Sequence, residues 1–325
     1  MALVFGAAGT LLASAASAAS PYNEAYWSLD QSTDANGCSI AYDTPTPADA
    51  EIPTDGKAHV VDQAYVATVT GADPADVTKI AYSQHAVATV GAQGTNPSKI
   101  WLTYSGQSKV TPPPAPSSCS PGGAIDTEVQ YAFTLTRPMW VNVNISNRGT
   151  AYSGFTLFRE GGNPYLQLES NEMKFDTSGR AYLPAGGYGG FLEGVTNYGD
   201  PQVTGAPSGA VKATFSIPGS RTAGPAGTAT GLVHMAAARN CTTHTLTSTI
   251  TSRKKPAKTI RKVVLSVNGH AVRTIKHHFR GRTVTLSLPD TSAARVRATV
   301  TTVKKRHHHT HRSTRSVSAS YLACR

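Results

Sequence analysis

Negative charge is almost absent from the last hundred residues. Between residues 226 and 325 the single acidic side chain is Asp290, against nineteen Lys and Arg, a net of +18; residues 1–225 carry eleven Lys and Arg against eighteen Asp and Glu, a net of −7. An anionic partner relieves the self-repulsion of such a stretch, so the two parts of the chain are expected to face different partners. Long apolar runs are missing as well. Ala2 to Leu12 is about half of the ~20 residues a membrane-spanning helix needs, and nothing later is apolar enough, so no transmembrane segment is expected. No Cys-x-x-Cys pair, Gly-x-Ser-x-Gly elbow, His-Glu-x-x-His, phosphate-binding loop or Gly-x-Gly-x-x-Gly after a strand is present. That leaves no motif for a cofactor and none for the common hydrolytic or nucleotide-dependent activities, and no enzyme is expected. Aromatics are 7% of the residues. Only Phe279 and Tyr321 interleave the basic runs, too few for the base stacking that single-stranded nucleic acid requires, so nucleic acid is not the expected partner.

What is present is Thr, Ser, Ala, Val and Gly, with 29 Gly and 20 Pro spaced as turn punctuation between short alternating segments. That is an all-β composition, and 325 residues exceed what one core usually organises, so two or three antiparallel β-sandwich domains of jelly-roll or Ig-like type are expected. After the first apolar run, Ala13-Ser14-Ala15-Ala16-Ser17-Ala18 offers the small-residue pattern of a signal-peptidase site. Residues 1–19 therefore read as a secretory signal, although no Lys or Arg precedes the run. The mature chain is expected to be secreted or held at the cell surface. Cys38, Cys119, Cys241 and Cys324 are even in number, which in an exported chain favours disulfides over metal ligation. Three connectivities are open; pairing Cys38 with Cys119 and Cys241 with Cys324 keeps each bridge within one region. Closing the second loop would remove roughly 4 kcal/mol of unfolded-state freedom.

Residues 216–230 show no apolar period, and 218–231 are expected to form a flexible linker at the point where the charge changes sign. The Pro-rich stretch Thr111 to Ser118 either divides an acidic region, 20–217, into subdomains 20–111 and 120–217, or forms a surface loop within one unit if Cys38 and Cys119 are bonded. Strands are expected at Tyr65 to Val69, Lys79 to Tyr82, Ala86 to Val90 and Ile100 to Tyr104, and a single helical turn at Asp73 to Val77. Farther on, Tyr131, Phe133 and Leu135 alternate with polar residues, as do Val141, Val143 and Ile145, so each run has one buried and one wet face. These two strands and the turn Leu183-Pro-Ala-Gly-Gly-Tyr188 resemble the bacterial pre-peptidase C-terminal domain. The resemblance implies a jelly-roll-like sandwich that serves secreted proteins as a non-catalytic accessory. Within 232–325, Asn268-Gly269 is a type I′ hairpin signal that sets Leu265 opposite Val272. Six or seven strands between Cys241 and Cys324 resemble the basic, Cys-bracketed Ig-like modules of exported Gram-positive bacterial proteins, without the central Trp of true immunoglobulin domains.

The basic residues Arg253, Lys254, Lys255, Lys258, Arg261, Lys262, Arg280, Arg282, Lys304, Lys305, Arg306 and Arg312 are the candidate anion-binding set. In this context the fitting partner is an anionic cell-wall polymer or polysaccharide. His307, His308, His309 and His311 offer imidazole nitrogens to a metal, but flanking cations oppose a divalent ion, and a solvated basic loop is the simpler reading. Trp27 and Tyr188 are candidates for stacking on a carbohydrate, which is the alternative function; Trp101 and Trp140 are expected to pack in cores. Asp30, Asp34 and Asn36-Gly37 miss the EF-hand spacing. The acidic pairs Glu169 with Glu172 and Asp43 with Asp49 lack an acid/base context, and His59 and His85 near Asp62 and Ser83 fit scattered turn residues. An unrecognised hydrolase is the third reading. It requires three carboxylates or a Ser/His pair to converge in one cleft.

Overall fold

The computed structural model describes residues 24–34, 37–43, 49–113, 117–119, 121–149, 151–159, 162, 164–170, 176–196, 206–306 and 309–325. The expected signal segment lies outside them. The chain forms two compact units, one from the described residues up to Arg137 together with Val141–Phe215, the other from Pro138–Trp140 together with Ser216–Arg325.

The first unit contains β1 (Glu24–Asp34), β2 (Ser39–Tyr42), β3 (Ala50–Glu51), β4 (Asp55–Thr70), β5 (Val77–Gln93), β6 (Asn96–Thr111), β7 (Gly122–Leu135), β8 (Met139–Arg148), β9 (Ala151–Arg159), β10 (Pro164–Ser170), β11 (Asp176–Leu183), β12 (Gly186–Thr196) and β13 (Ser208–Ser216). They form a six-stranded sheet in the order β10-β9-β12-β7-β1-β3 and a seven-stranded sheet in the order β11-β8-β13-β6-β5-β4-β2. Because side chains alternate along a strand, the odd positions of β7 (Ile125, Val129, Tyr131, Phe133, Leu135) enter the core, where Tyr65, Tyr82, Ile100, Leu102 and Tyr104 of the other sheet are buried too. The Tyr65 hydroxyl donates to the Ala124 carbonyl at 3.1 Å across this interface. A buried polar chain also spans it: Thr196 donates to Gln84 at 2.6 Å, and Thr127 to Gln63 at 3.0 Å. The even positions of β7 and the odd positions of β12 form the outer face of the six-stranded sheet.

Of the two readings left open for residues 20–217, subdomains or one unit, the strands form one interleaved unit. β1 pairs with β7 over eleven positions, and β13 pairs with β6, so each sheet draws strands from before and after the Pro-rich stretch. Cys38 and Cys119 are bonded at 2.05 Å. Residues 73–76 form a turn, in which Asp76 N–H donates to the Asp73 carbonyl at 2.9 Å, in place of the expected helical turn.

The second unit contains β14 (Ala226–Gly227), β15 (Val233–Met235), β16 (Thr245–Ile250), α1 (Lys254–Thr259), β17 (Ile260–Val267), β18 (His270–Ile275), β19 (Thr283–Ser287), β20 (Ala294–Arg306) and β21 (His309–Tyr321). A five-stranded sheet, β14-β21-β20-β17-β18, and a three-stranded sheet, β15-β16-β19, share one core built on Leu246, Ile250, Val263, Leu265, Val296, Val300, Val317 and Tyr321. Cys241 and Cys324 close it at 2.06 Å. The segment 218–231, anticipated as a linker, is bonded into this unit: Ala226 and Gly227 pair with Ser318 and Val317, and Ala229 is fully buried. Its Gly and Pro residues shape an edge that periodicity cannot reveal.

The hairpin at Asn268-Gly269 forms with φ of 49° and 88°, the positive pair that a type I′ turn demands. Its register differs from expectation. Leu265 faces Arg273, because a bulge between Leu265 and Ser266 leaves Val272 out of the ladder and exposed.

Candidate functional site

Three connections of the second unit meet at one end of its sandwich. β16 ends at Ile250 and β19 begins opposite it, with Thr249 facing Thr283; β18 ends at Ile275 facing Val263; and Ile260, which opens β17, faces Thr302 of β20. The segments 251–262 and 276–282 and the β20–β21 hairpin tip therefore emerge at the same pole. They carry Arg253, Lys254, Lys255, Lys258, Arg261 and Lys262; then Lys276, Arg280 and Arg282; then Lys304, Lys305, Arg306 and Arg312. Thirteen of the unit's twenty Lys and Arg sit here without one carboxylate among those segments. The unit's one acidic residue, Asp290, lies in the β19–β20 connection at the opposite end, where it meets His244 at 3.0 Å and Arg325 at 3.3 Å.

The scaffold beneath the pole is fixed. Phe279 packs against the core. Gly281 N–H donates to the Thr251 carbonyl at 3.0 Å, and Ile250 N–H to the Arg282 carbonyl at 2.8 Å, which ties 276–282 to 251–253. Three guanidinium groups are held by backbone carbonyls: Arg280 on Ser252 at 3.0 Å, Arg282 on His277 at 3.2 Å, and Arg261 on Lys258 at 2.9 Å and Ile260 at 3.1 Å. Each keeps further N–H donors for a ligand. α1 accepts Pro256 because Pro falls in the first turn, where no intrahelical donor is lost, and Ala257 faces inward. Among the side chains described at this pole none forms an ion pair with a carboxylate, and Lys254, Lys255, Lys258, Lys262, Arg280, Lys304 and Arg312 are exposed.

The structure thus gathers the twelve basic residues singled out by sequence and adds Lys276. The backbone places Lys305 opposite Thr310 and Arg306 opposite His309 in the hairpin tip. Of the candidate metal ligands, His307 and His308 lie outside the described residues, and His311 is exposed opposite Lys304. Among the described residues, one group brings three candidate ligand atoms within 4.8 Å, His244, Asp290 and Cys324, and its sulfur is already in the disulfide.

The carbohydrate candidates are overturned. Trp27 is 4% exposed and Tyr188 3%, because both take the inward phase of their strands; Tyr188 stacks on Phe133 with centroids 5.6 Å apart and donates to the Pro184 carbonyl at 2.8 Å. Neither offers a face to a sugar. Trp101, expected in a core, is half-buried with the Lys99 ammonium 4.6 Å from its ring centroid, and the half-buried Trp140 donates its indole N–H to the Ala323 carbonyl at 2.9 Å.

Two constellations bear on hydrolysis. The register of β4, β5 and β6 sets Asp62, His85 and Ser105 in one row along a groove of about 370 Å³, with His85 Nδ1 2.7 Å from Asp62. It has the residue types of a catalytic triad but not the environment. Asp62 is 75% exposed, no described hydrogen bond joins His85 to Ser105, and the N–H of Gly106, the natural oxyanion donor, is spent on the Pro207 carbonyl at 2.9 Å. The second lies on the outer face of the six-stranded sheet, where Glu193 faces Glu128, Val195 faces Asp126, and Asp126 faces Asp30. The side chains of Asp126 and Glu193 are hydrogen-bonded to each other. Burial, then the negative charge of Glu193, Glu128 and Asp30, pushes Asp126 well above the usual carboxylate range. Burial and Glu128 push Glu193 up to about 7, and burial raises Glu128 as well. Two carboxyls in hydrogen-bond contact leave no room for the sugar or water that a glycosidase holds between its acids, about 5 Å or more apart. Sequence reading missed this group because its members are 65 residues apart. The signal available was Asp126-x-Glu128, two acids on the wet phase of a strand whose other phase is apolar.

No family model matches the chain, and no curated protein matches it. Among solved structures, the adhesin domain of Epf from Streptococcus pyogenes is similar at 8% identity and a TM-score of 0.22, over 82% of this chain and 91% of that one. So weak a superposition carries no inference about a ligand. The chain is an all-β protein of two units, each with its own disulfide.

Proposed function

We propose that this is a non-catalytic binding protein, secreted or at the cell surface, whose second unit associates through its basic pole with an anionic cell-envelope polymer. The observation that carries the reading is the convergence of thirteen Lys and Arg from three connections at one end of a sandwich, with the unit's one acid at the other end. Charge spread evenly would serve solubility; charge gathered on a fixed scaffold focuses a positive potential over one surface. Two disulfides fit an oxidising, extracytoplasmic setting. Among the described residues no helix is long and apolar enough to cross a membrane.

The test is retention of the protein on a soluble anionic polymer across a salt series. If six or more cations engage it, as in polyanion binding generally, affinity should fall about a thousandfold between roughly 50 and 200 mM monovalent salt. Replacing Arg253, Lys254, Lys255 and Lys258 with Gln should weaken binding at least about tenfold at low salt without lowering the melting temperature. Retention insensitive to salt, or unchanged in the fourfold variant, would sink the proposal.

A further inference from the structure

The outer face of the seven-stranded sheet takes no part in the function proposed above. On β6 its side chains are Lys99, Trp101, Thr103, Ser105, Gln107 and Lys109, because Ile100, Leu102 and Tyr104 take the other phase and are buried. At about 3.3 Å per residue, the two lysines stand roughly 33 Å apart along the strand. Beside this line the face is hollow. The groove of about 370 Å³ that holds His85 and Ser105 adjoins a second of about 530 Å³, bordered by Lys109, and Ala64, Ser83 and Gln107 line both. The acids at the rims are already bonded: Asp62 meets His85 at 2.7 Å, and Asp43 accepts from Val66 N–H at 2.7 Å. Toward the other end of the line lies Trp101, with Lys212 of β13 and Thr89 of β5 opposite it in the two ladders. The Lys99 ammonium is 4.6 Å from its ring centroid and that of Lys212 is 5.7 Å away. The ring attracts each cation, but among the described residues no carboxylate pairs with either. Trp101 Nε1 is buried without a hydrogen-bond acceptor, which costs free energy that a ligand oxygen would offset.

We propose that this face binds an extended saccharide whose units carry carboxylates. Lys99 and Lys212 meet one carboxylate beside Trp101, and Lys109 meets another at the far end of the line. Between them the hydroxyl and amide groups of Thr103, Ser105 and Gln107 can each donate and accept, as sugar hydroxyls require. A neutral saccharide would leave the two ammonium groups at Trp101 without a counter-charge. A polyanion without hydroxyls would leave the central polar side chains unused. A chain of sugar acids answers both. The site belongs to the first unit alone and does not rest on the basic pole of the second.

The experiment follows tryptophan emission and binding heat of the full chain during titration with a galacturonate hexasaccharide at low salt. It is run in the parent and in the fourfold Gln variant at Arg253, Lys254, Lys255 and Lys258, which weakens the pole. Both proteins should show the same saturable change in emission. The fully methyl-esterified hexasaccharide keeps the rings and loses the charge, so it should bind at least about tenfold more weakly. Lys99→Gln combined with Lys212→Gln should cost a similar factor without lowering the melting temperature, since Lys212 is exposed and Lys99 half-buried. Trp101→Phe keeps a ring for packing and should abolish the emission change. Any of four results would overturn the site: no emission change in the parent, equal binding of the ester, normal affinity in the double lysine variant, or an emission change that survives Trp101→Phe. Binding seen in the parent and lost in the fourfold variant would assign the saccharide to the pole, overturning this site and leaving the function proposed above intact. Loss of salt-sensitive polymer retention with hexasaccharide binding preserved would do the reverse.

Discussion

In the first unit Asp126, Glu128 and Glu193 stand on strands, brought side by side by the register of β7 with β12, and are partly buried. In the second, Lys254, Lys255, Lys276, Arg280 and Lys304 lie in or beside connections and are exposed. Charge at a strand position cannot move away from its neighbour without breaking the ladder, so it is paid for by a shifted protonation equilibrium or a counter-ion. Charge in a connection extends into water and repels weakly across a screened distance, so much more of it accumulates at little cost to folding. The first arrangement holds a few acids in fixed contact, and the second presents many cations that adjust independently. The difference lies in how firmly the backbone fixes the charges, and their number matters less.

That contrast can be tested at three scales. The largest effect should come from the disulfides. The loops closed by Cys38–Cys119 and Cys241–Cys324 span nearly equal separations, 81 and 83 residues. Replacing either pair with Ser should lower the stability of its own unit by about 4 kcal/mol in denaturant unfolding. A much larger loss in one unit would show that the two cores, not only their charges, are built to different margins.

Next is pH. Asp126, Glu193 and Glu128 have folded-state pKa values above their unfolded ones, so the folded state binds more protons in between. Their contribution is fully present below the unfolded range, near 4, and is lost as pH rises through the folded value of about 7 for Glu193. The first unit should lose on the order of 2 kcal/mol between pH 5 and 8, and Glu193→Gln should flatten the profile. The exposed cations of the pole should leave the second unit nearly flat over the same range, and a slope of equal size there would break the contrast.

The smallest effect concerns Asn268. It holds a positive φ at the hairpin turn, and its side chain accepts from Arg295 N–H at 2.7 Å. Asn268→Ala should cost the second unit about 1 kcal/mol, read as a lowered melting temperature, with polymer binding unchanged because the turn lies at the end of β17 away from the pole.

Strand positions were readable wherever apolar and polar residues alternate. Tyr131-x-Phe133-x-Leu135, Val141-x-Val143-x-Ile145 and the Asn268-Gly269 hairpin all lie where the pattern puts them, because a two-residue period and a type I′ turn are local properties. The excess of cations in the connections of the second unit was also readable, since exposed charge there needs no partner to be recognised; their role as a binding set belongs to the proposal. Trp27 and Tyr188 were misjudged because an aromatic near Gly or a chain terminus looks displayable until the phase of its strand is known, and that phase depends on the sheet it joins. Segment 218–231 was misjudged for a related reason: two residues of edge pairing and one buried Ala leave no period to detect.

Composition and alternation by themselves determined that this chain is all-β, that its charge changes sign along its length, and that its cysteines suit disulfides, because each is a property of residues and near neighbours. The pairing of those cysteines, the meeting of 251–262, 276–282 and 304–312 at one pole, and the contact of Asp126 with Glu193 were decided only by the tertiary structure. Strand register joins residues tens of positions apart, and it is fixed by how whole faces pack.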